Sequence, residues 1–162
     1  MGIDAETLER LRRGVPLRLT ALGEFRWDDG PITHGRVRDA LRAGLDVSDG
    51  GEPIVRLGPQ WCYLTVDDCI MRVTAVLARQ DGPVLRLDDG REVALDPASL
   101  WEEPDKGLRC TVPSQPTGRA LSARFTNTAQ MDLAAWMDLD ADPPVLRIGD
   151  HRWPILDHPR RA

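Results

Sequence analysis

Apolar and polar positions alternate in the same short form three times along the chain: Phe25-Arg26-Trp27-Asp28-Asp29-Gly30, Leu85-Arg86-Leu87-Asp88-Asp89-Gly90 and Leu146-Arg147-Ile148-Gly149-Asp150-His151. Apolar, Arg, apolar alternation sets two side chains on a buried sheet face and the Arg in water, and the Asp and Gly that follow tolerate the positive φ of a tight primed turn. Each stretch therefore predicts a β-hairpin. Their starts lie 60 and 61 residues apart, so one hairpin-bearing unit is expected to be reused.

Between the hairpins the period changes. Asp4 caps a short helix over residues 5–13, Leu8 and Leu11 share one side, and Gly14 is placed to end it in the left-handed conformation. Such a helix is marginal alone in water and must dock on something. Leu17, Leu19 and Ala21 alternate with Arg18 and Thr20 as a half-buried strand. Thr33 is expected to cap a second helix, with Val37, Ala40 and Leu41 on one face and Gly44 closing it. Ile54 to Leu57, Trp61 to Val66 and Ile70 to Leu77 follow as β-rich runs separated by Gly58-Pro59 and Asp67-Asp68, which predicts an antiparallel meander. Later, Asn127 with Gln130 reads as a capping box opening a helix whose apolar face is Met131, Ala134, Ala135, Trp136 and Met137, ended by Pro143-Pro144.

The pattern is α+β: two related small units of antiparallel hairpins and meander, each with one main helix. Gln80-Asp81-Gly82-Pro83 is the boundary that local composition offers. The expected organisation is a helix at 1–14, a first unit at 15–82 and a second at 83–162.

Charge changes the picture of partners. The formal net charge is −5, which removes the broad attraction that nucleic-acid binding draws on. All basic residues but Lys106 are Arg, scattered except at Arg10, Arg12 and Arg13, where Glu6 and Glu9 sit beside them. No apolar run approaches the roughly 18 residues of a membrane span, so no membrane partner is expected. Cys62, Cys69 and Cys110 are an odd number without a CxxC pair, which reads as reduced, partly buried thiols in a cytoplasmic protein.

Candidate chemistry is sparse. Asp28-Asp29, Asp67-Asp68 and Asp88-Asp89 are carboxylate pairs, but Asp at a turn bonds its own backbone amides and needs no ligand. His34, His151 and His158 stand outside any nucleophile elbow, HExxH or paired-cysteine spacing. The expectation is no catalytic residue, no metal and no cofactor. Five Trp fill predicted elements and are read chiefly as core, with Trp61 beside Gln60 and Trp153 before Pro154 as the two to examine for exposure.

Trp27, Gly30-Pro31-Ile32, Leu41, the Asp49-Gly50-Gly51 turn, Val66-Asp67-Asp68, Asp89-Gly90-Arg91-Glu92-Val93 and Leu121-Ser122-Ala123-Arg124 occupy, in order, the places of a known motif series. Through them the chain resembles the bacterial domain-of-unknown-function 1285 family over roughly residues 15–156. It departs at Pro59-Gln60-Trp61, where members place Pro, any residue, then Glu. The resemblance implies repeated α+β units and a role in signal transduction. The expected function is a non-enzymatic regulatory or interaction module that binds a protein partner or small ligand between its units, with Trp61, Gln60, Asp67, Asp68, Arg72 and Trp153 as binding residues. The alternatives are an enzyme using Asp67, Asp68 and Arg72, of which Asp68 and Arg72 would share a face if one strand ran through both, and a homo-oligomeric structural protein, such as a homodimer, that pairs exposed hairpin edges.

Overall fold

Leu17 and Leu19 are buried and Arg18 between them is exposed, the alternation of a strand with one face on a core. The computed structural model describes residues 2–161. Met1 and Ala162, the outermost residues of the predicted first and last segments, lie outside them. In chain order the elements are α1 (Ala5–Arg13), β1 (Leu17–Leu19), β2 (Phe25–Trp27), β3 (Gly30–Pro31), α2 (Gly35–Ala43), β4 (Leu45–Val47), β5 (Pro53–Leu57), β6 (Gln60–Tyr63), β7 (Thr65–Val66) and β8 (Met71–Arg79). They continue with β9 (Gly82–Leu87), β10 (Glu92–Ala94), β11 (Trp101–Glu103), β12 (Gly107–Pro113), β13 (Ala120–Phe125), α3 (Asn127–Ala134), β14 (Met137–Asp138), β15 (Val145–Ile148) and β16 (His151–Pro154). The fold is α+β. All three hairpins form, at β2–β3, β9–β10 and β15–β16.

The chain divides into two compact units, but not at Pro83. The first runs to Ile70 and takes back Pro113–Leu121; the second is Met71–Val112 with the chain from Ser122 onward. Gln80-Asp81 is instead the hairpin turn that joins β8 to β9, and Gly82-Pro83 opens β9, paired with Arg79 and Ala78. A tight turn and a linker share the same residue types, so local composition does not separate them.

The first unit holds a sheet of order β3-β2-β1-β7 and a second of order β4-β5-β6. Its core is Leu17, Leu19, Phe25, Leu41, Leu45, Ile54, Val55 and Leu64. The second unit holds a six-stranded sheet, β10-β9-β8-β13-β12-β11, and a three-stranded one, β14-β15-β16, around Met71, Val73, Leu85, Leu87, Phe125, Leu133 and Leu146. The predicted meander forms only in part. β5 and β6 pair antiparallel, whereas β7 pairs parallel with β1, and β8 pairs with β9 and β13.

The helices correct several local expectations. α1 has the predicted bounds and the Asp4 cap, whose carboxylate accepts from the Thr7 amide at 2.8 Å. Gly14 and Gly44 end their helices with negative φ, not in the left-handed region. Gly44 is needed for a different reason: a Cβ there would stand 2.1 Å from the Arg56 carbonyl oxygen, because the backbone runs straight from α2 into β4 against β5. His34, not Thr33, is the cap residue of α2, and of its expected face only Leu41 is buried. α3 starts from Thr126, whose hydroxyl accepts from Ala129, and it ends at Ala134 rather than at the prolines. Gln130 serves no capping box; its side-chain oxygen accepts from the Leu108 amide at 2.7 Å. Met131 is 78% exposed, and Ala129 and Leu133 face the core in its place.

The internal likeness also differs from the even spacing of the hairpins. In the first unit α2 leads into β4-β5-β6, and in the second α3 leads into β14-β15-β16. Leu45 faces Val55 as Met137 faces Leu146, and the Arg56 amide donates to Gly44 as the Arg147 amide donates to Trp136. The third hairpin thus corresponds to β5–β6, where a Gly58-Pro59 turn hid the match.

Candidate functional site

Trp61 and Tyr63 are alternate residues of β6, so both rings emerge on one face of the strand, and they meet edge to face at 5.2 Å. Both are half-buried. Arg12 and Arg13, the last two residues of α1, lie on them: the Arg12 guanidinium stands 3.8 Å over the Trp61 ring and that of Arg13 stands 4.0 Å over Tyr63. Arg13 also donates from Nη1 and Nη2 to the two oxygens of Glu52, at 3.3 and 2.9 Å. The Tyr63 hydroxyl donates to Glu9 at 2.7 Å. The bond from Arg13 holds the Glu52 carboxyl below its ordinary pKa, and the bond to Glu9, with some burial, raises the Tyr63 phenol above its own.

Two grooves meet at Glu52 and Tyr63. One, of about 430 Å³, is lined by Ser48, Asp49, Ile54, Arg56 and Trp61 besides that pair. The other, of about 230 Å³, runs past Arg13, Val15 and Thr65. Arg56 of the first groove is held from behind by Asp46, which is fully buried on β4. Its carboxylate accepts from Arg56 Nε at 2.7 Å, from the Val47 amide at 2.8 Å and from the Thr117 hydroxyl at 2.9 Å. Arg119 adds bonds to the Val47 carbonyl and to Asp49. These contacts are why Pro113–Leu121 belongs to the first unit.

The predicted site residues fare unevenly. Trp61 stands in the groove wall. Gln60 is exposed beside the Gly58-Pro59 turn, opposite Leu57. Asp67 is bonded by Arg18 at 2.7 Å within the first unit, and Asp68 follows it in a bend rather than a strand. Arg72 is buried on β8 in the second unit, its Nη1 3.5 Å from Asp88. The single strand expected to carry Asp68 and Arg72 on one face therefore does not exist. Trp153 is half-buried opposite Leu146, its ring 5.6 Å from that of His151. None of the five Trp is fully buried, and Trp27 is 53% exposed, so the core is built mainly from Leu, Ile, Val and Phe, with Met, Cys and Ala, and not from Trp.

Sequence reasoning passed over Tyr63, Glu52, Arg12 and Arg13. A signal was present in the alternation of Trp61 with Tyr63 and in the Arg12-Arg13 pair. The fold does not demand the aromatic pair: the register places Arg152 and Pro154 at the matching positions of β16.

No protein-family model and no curated protein sequence matches the chain. Solved structures do. A DUF1285 family protein from Silicibacter pomeroyi DSS-3 superposes with a TM-score of 0.67 at 13% identity, over 87% of this chain and 79% of that one. A second, from Shewanella baltica OS155, gives 0.61 at 12% identity, over 78% and 95%. The chain resembles the DUF1285 proteins. At such identities the likeness is one of fold, and the β6 residues must be read on their own chemistry.

Proposed function

We propose that the protein is a non-enzymatic interaction module with a regulatory role, and that its recognition surface is the Trp61–Tyr63 side of the first unit. The observation that carries this reading is the pair of half-buried rings on β6, placed between two grooves and absent from the equivalent strand of the second unit. Aromatic side chains supply much contact area at low entropic cost, and Trp and Tyr are the usual anchors of binding surfaces.

The carboxylate pairs support the same reading through their engagement in structure. Asp28 sits at positive φ in its turn, Asp89 accepts from the amide and Nε of Arg91, and Asp67 and Asp88 are each bonded by an Arg of their own unit. Cys62 is half-buried and Cys69 and Cys110 are buried, an arrangement that suits a reducing cytoplasmic setting. No helix among the described residues is long and apolar enough to cross a membrane.

A thermal-shift screen of metabolites, nucleotides and peptides against the wild type and Trp61→Ala tests the proposal. A ligand that raises the wild-type Tm by several degrees and leaves the variant unmoved supports it. Ligands that move both proteins equally, or that turn over into product, overturn it.

A further inference from the structure

α1 buries none of its residues, and Leu11 is 56% exposed. A nine-residue helix gains too little from its own hydrogen bonds to persist in water. What ties it to β6 is the bond from the Tyr63 hydroxyl to Glu9 and, at its last turn, the pair of successive arginines. The β6 face offers Arg12 and Arg13 one ring each, and Glu52 presents both oxygens to the Arg13 fork. Arg12 Nε is buried without a hydrogen-bond partner among the described residues, so stacking on Trp61 is the main contact of that guanidinium. A flat, weakly hydrated guanidinium suits such a surface; the compact, strongly hydrated ammonium of Lys does not. Two stacking platforms at alternate strand positions, with a carboxylate beside one of them, form a receptor for two adjacent guanidinium groups.

We propose that this face recognises an arginine pair on a partner chain, and that Arg12-Arg13 of α1 is its occupant in cis, displaced when the partner binds. The inference rests on reading the Trp61–Tyr63 side as a binding surface and names the chemistry of what it binds. The grooves on either side of Glu52 and Tyr63 leave room for the residues flanking the pair. Because the competent state is the one with α1 displaced, the apparent affinity for a partner is reduced by the fraction of molecules in that state. Loosening α1 strengthens binding.

A fluorescein-labelled peptide copying residues 3–15 is titrated by anisotropy into the full-length protein and into its Arg12→Ala/Arg13→Ala variant, with circular dichroism confirming equal folding. The expected result is roughly tenfold tighter binding to the variant, as for removal of a competing conformer. Binding is lost when both peptide arginines are replaced by Ala, and it weakens severalfold when Glu52→Gln is added to the variant. Should the double Ala variant not fold, Arg12→Lys/Arg13→Lys keeps the charge while losing the stacked forks, and a gain of the same sign is expected. Equal affinity for wild type and variant, or indifference to the peptide's arginines, overturns the proposal. A small molecule that stabilises the wild type through Trp61, while the peptide binds neither protein, overturns the arginine-pair assignment and leaves the binding-module reading standing; failure of both screens removes both.

Discussion

Asp46 shows how much one side chain can organise. Burial by itself would raise its pKa, but the bonds from Arg56, the Val47 amide, Thr117 and Ser114 more than offset this and hold the carboxyl below the ordinary range. A carboxylate whose folded pKa is depressed contributes stability that is complete above the unfolded value of about 3.9 and is lost as pH falls through the lower folded value. Asp46→Asn is therefore expected to cost about 2–4 kcal/mol at neutral pH, since it leaves the part-buried Arg56 without its counter-charge. The variant should also lose less stability than the wild type on acidification below about pH 4. Urea denaturation across that pH range checks both; a variant as stable as the wild type at pH 7 would deny Asp46 this role. Nothing in Leu45-Asp46-Val47 announces it, because the hydroxyl that completes the site is 71 residues further along the chain. Asp89 is legible for the opposite reason, since it bonds the amide two positions on, whereas Asp67 and Asp88 are bonded by Arg18 and Arg72, 49 and 16 residues away.

Elements with local causes were legible as well. The three hairpins carry their own turn chemistry, and α1 carries its Asp4 cap, so both appear where the alternation and the cap place them. α3 forms with a different cap and end from those its local pattern implies, because Gln130 accepts from the Leu108 amide, a tertiary contact that no local pattern encodes. The Trp, expected chiefly in the core with Trp61 and Trp153 as candidates for exposure, all remain partly exposed. The docking of α1 is the element whose strength is easiest to vary. Its ion pairs are largely exposed, with side chains of Arg13 and Glu52 about half accessible, and such pairs contribute little each and are screened by salt. Amide hydrogen exchange in residues 5–13 should therefore accelerate severalfold between about 0.05 and 0.5 M NaCl, while that of β5 and β8 stays unchanged. Protection of α1 that is indifferent to salt would mean that apolar contacts, not arginines, hold it.

At the scale of the molecule, the chain forms two compact units whose limits local composition does not mark. A boundary depends on which strands find each other. β8 pairs with β9 across the turn that looked like a linker, and Pro113–Leu121 returns to the first unit because Asp46 and Asp49 bind Thr117 and Arg119 there. The repeat was hidden likewise: helix-to-hairpin register, not sequence spacing, relates β4-β5-β6 to β14-β15-β16. Against that shared frame the aromatic pair of β6 stands out as the first unit's own addition, and the functional account depends on it. The most direct test is amide chemical-shift mapping of the full-length protein with whichever ligand or arginine-bearing peptide binds. The account predicts that the perturbed amides centre on Asp49, Glu52, Arg56, Trp61 and Tyr63, with those of residues 9–13 shifting as α1 leaves. Perturbations centred on Asp67 and Asp68, on Trp153, or on the exposed Met131 of α3 would contradict it.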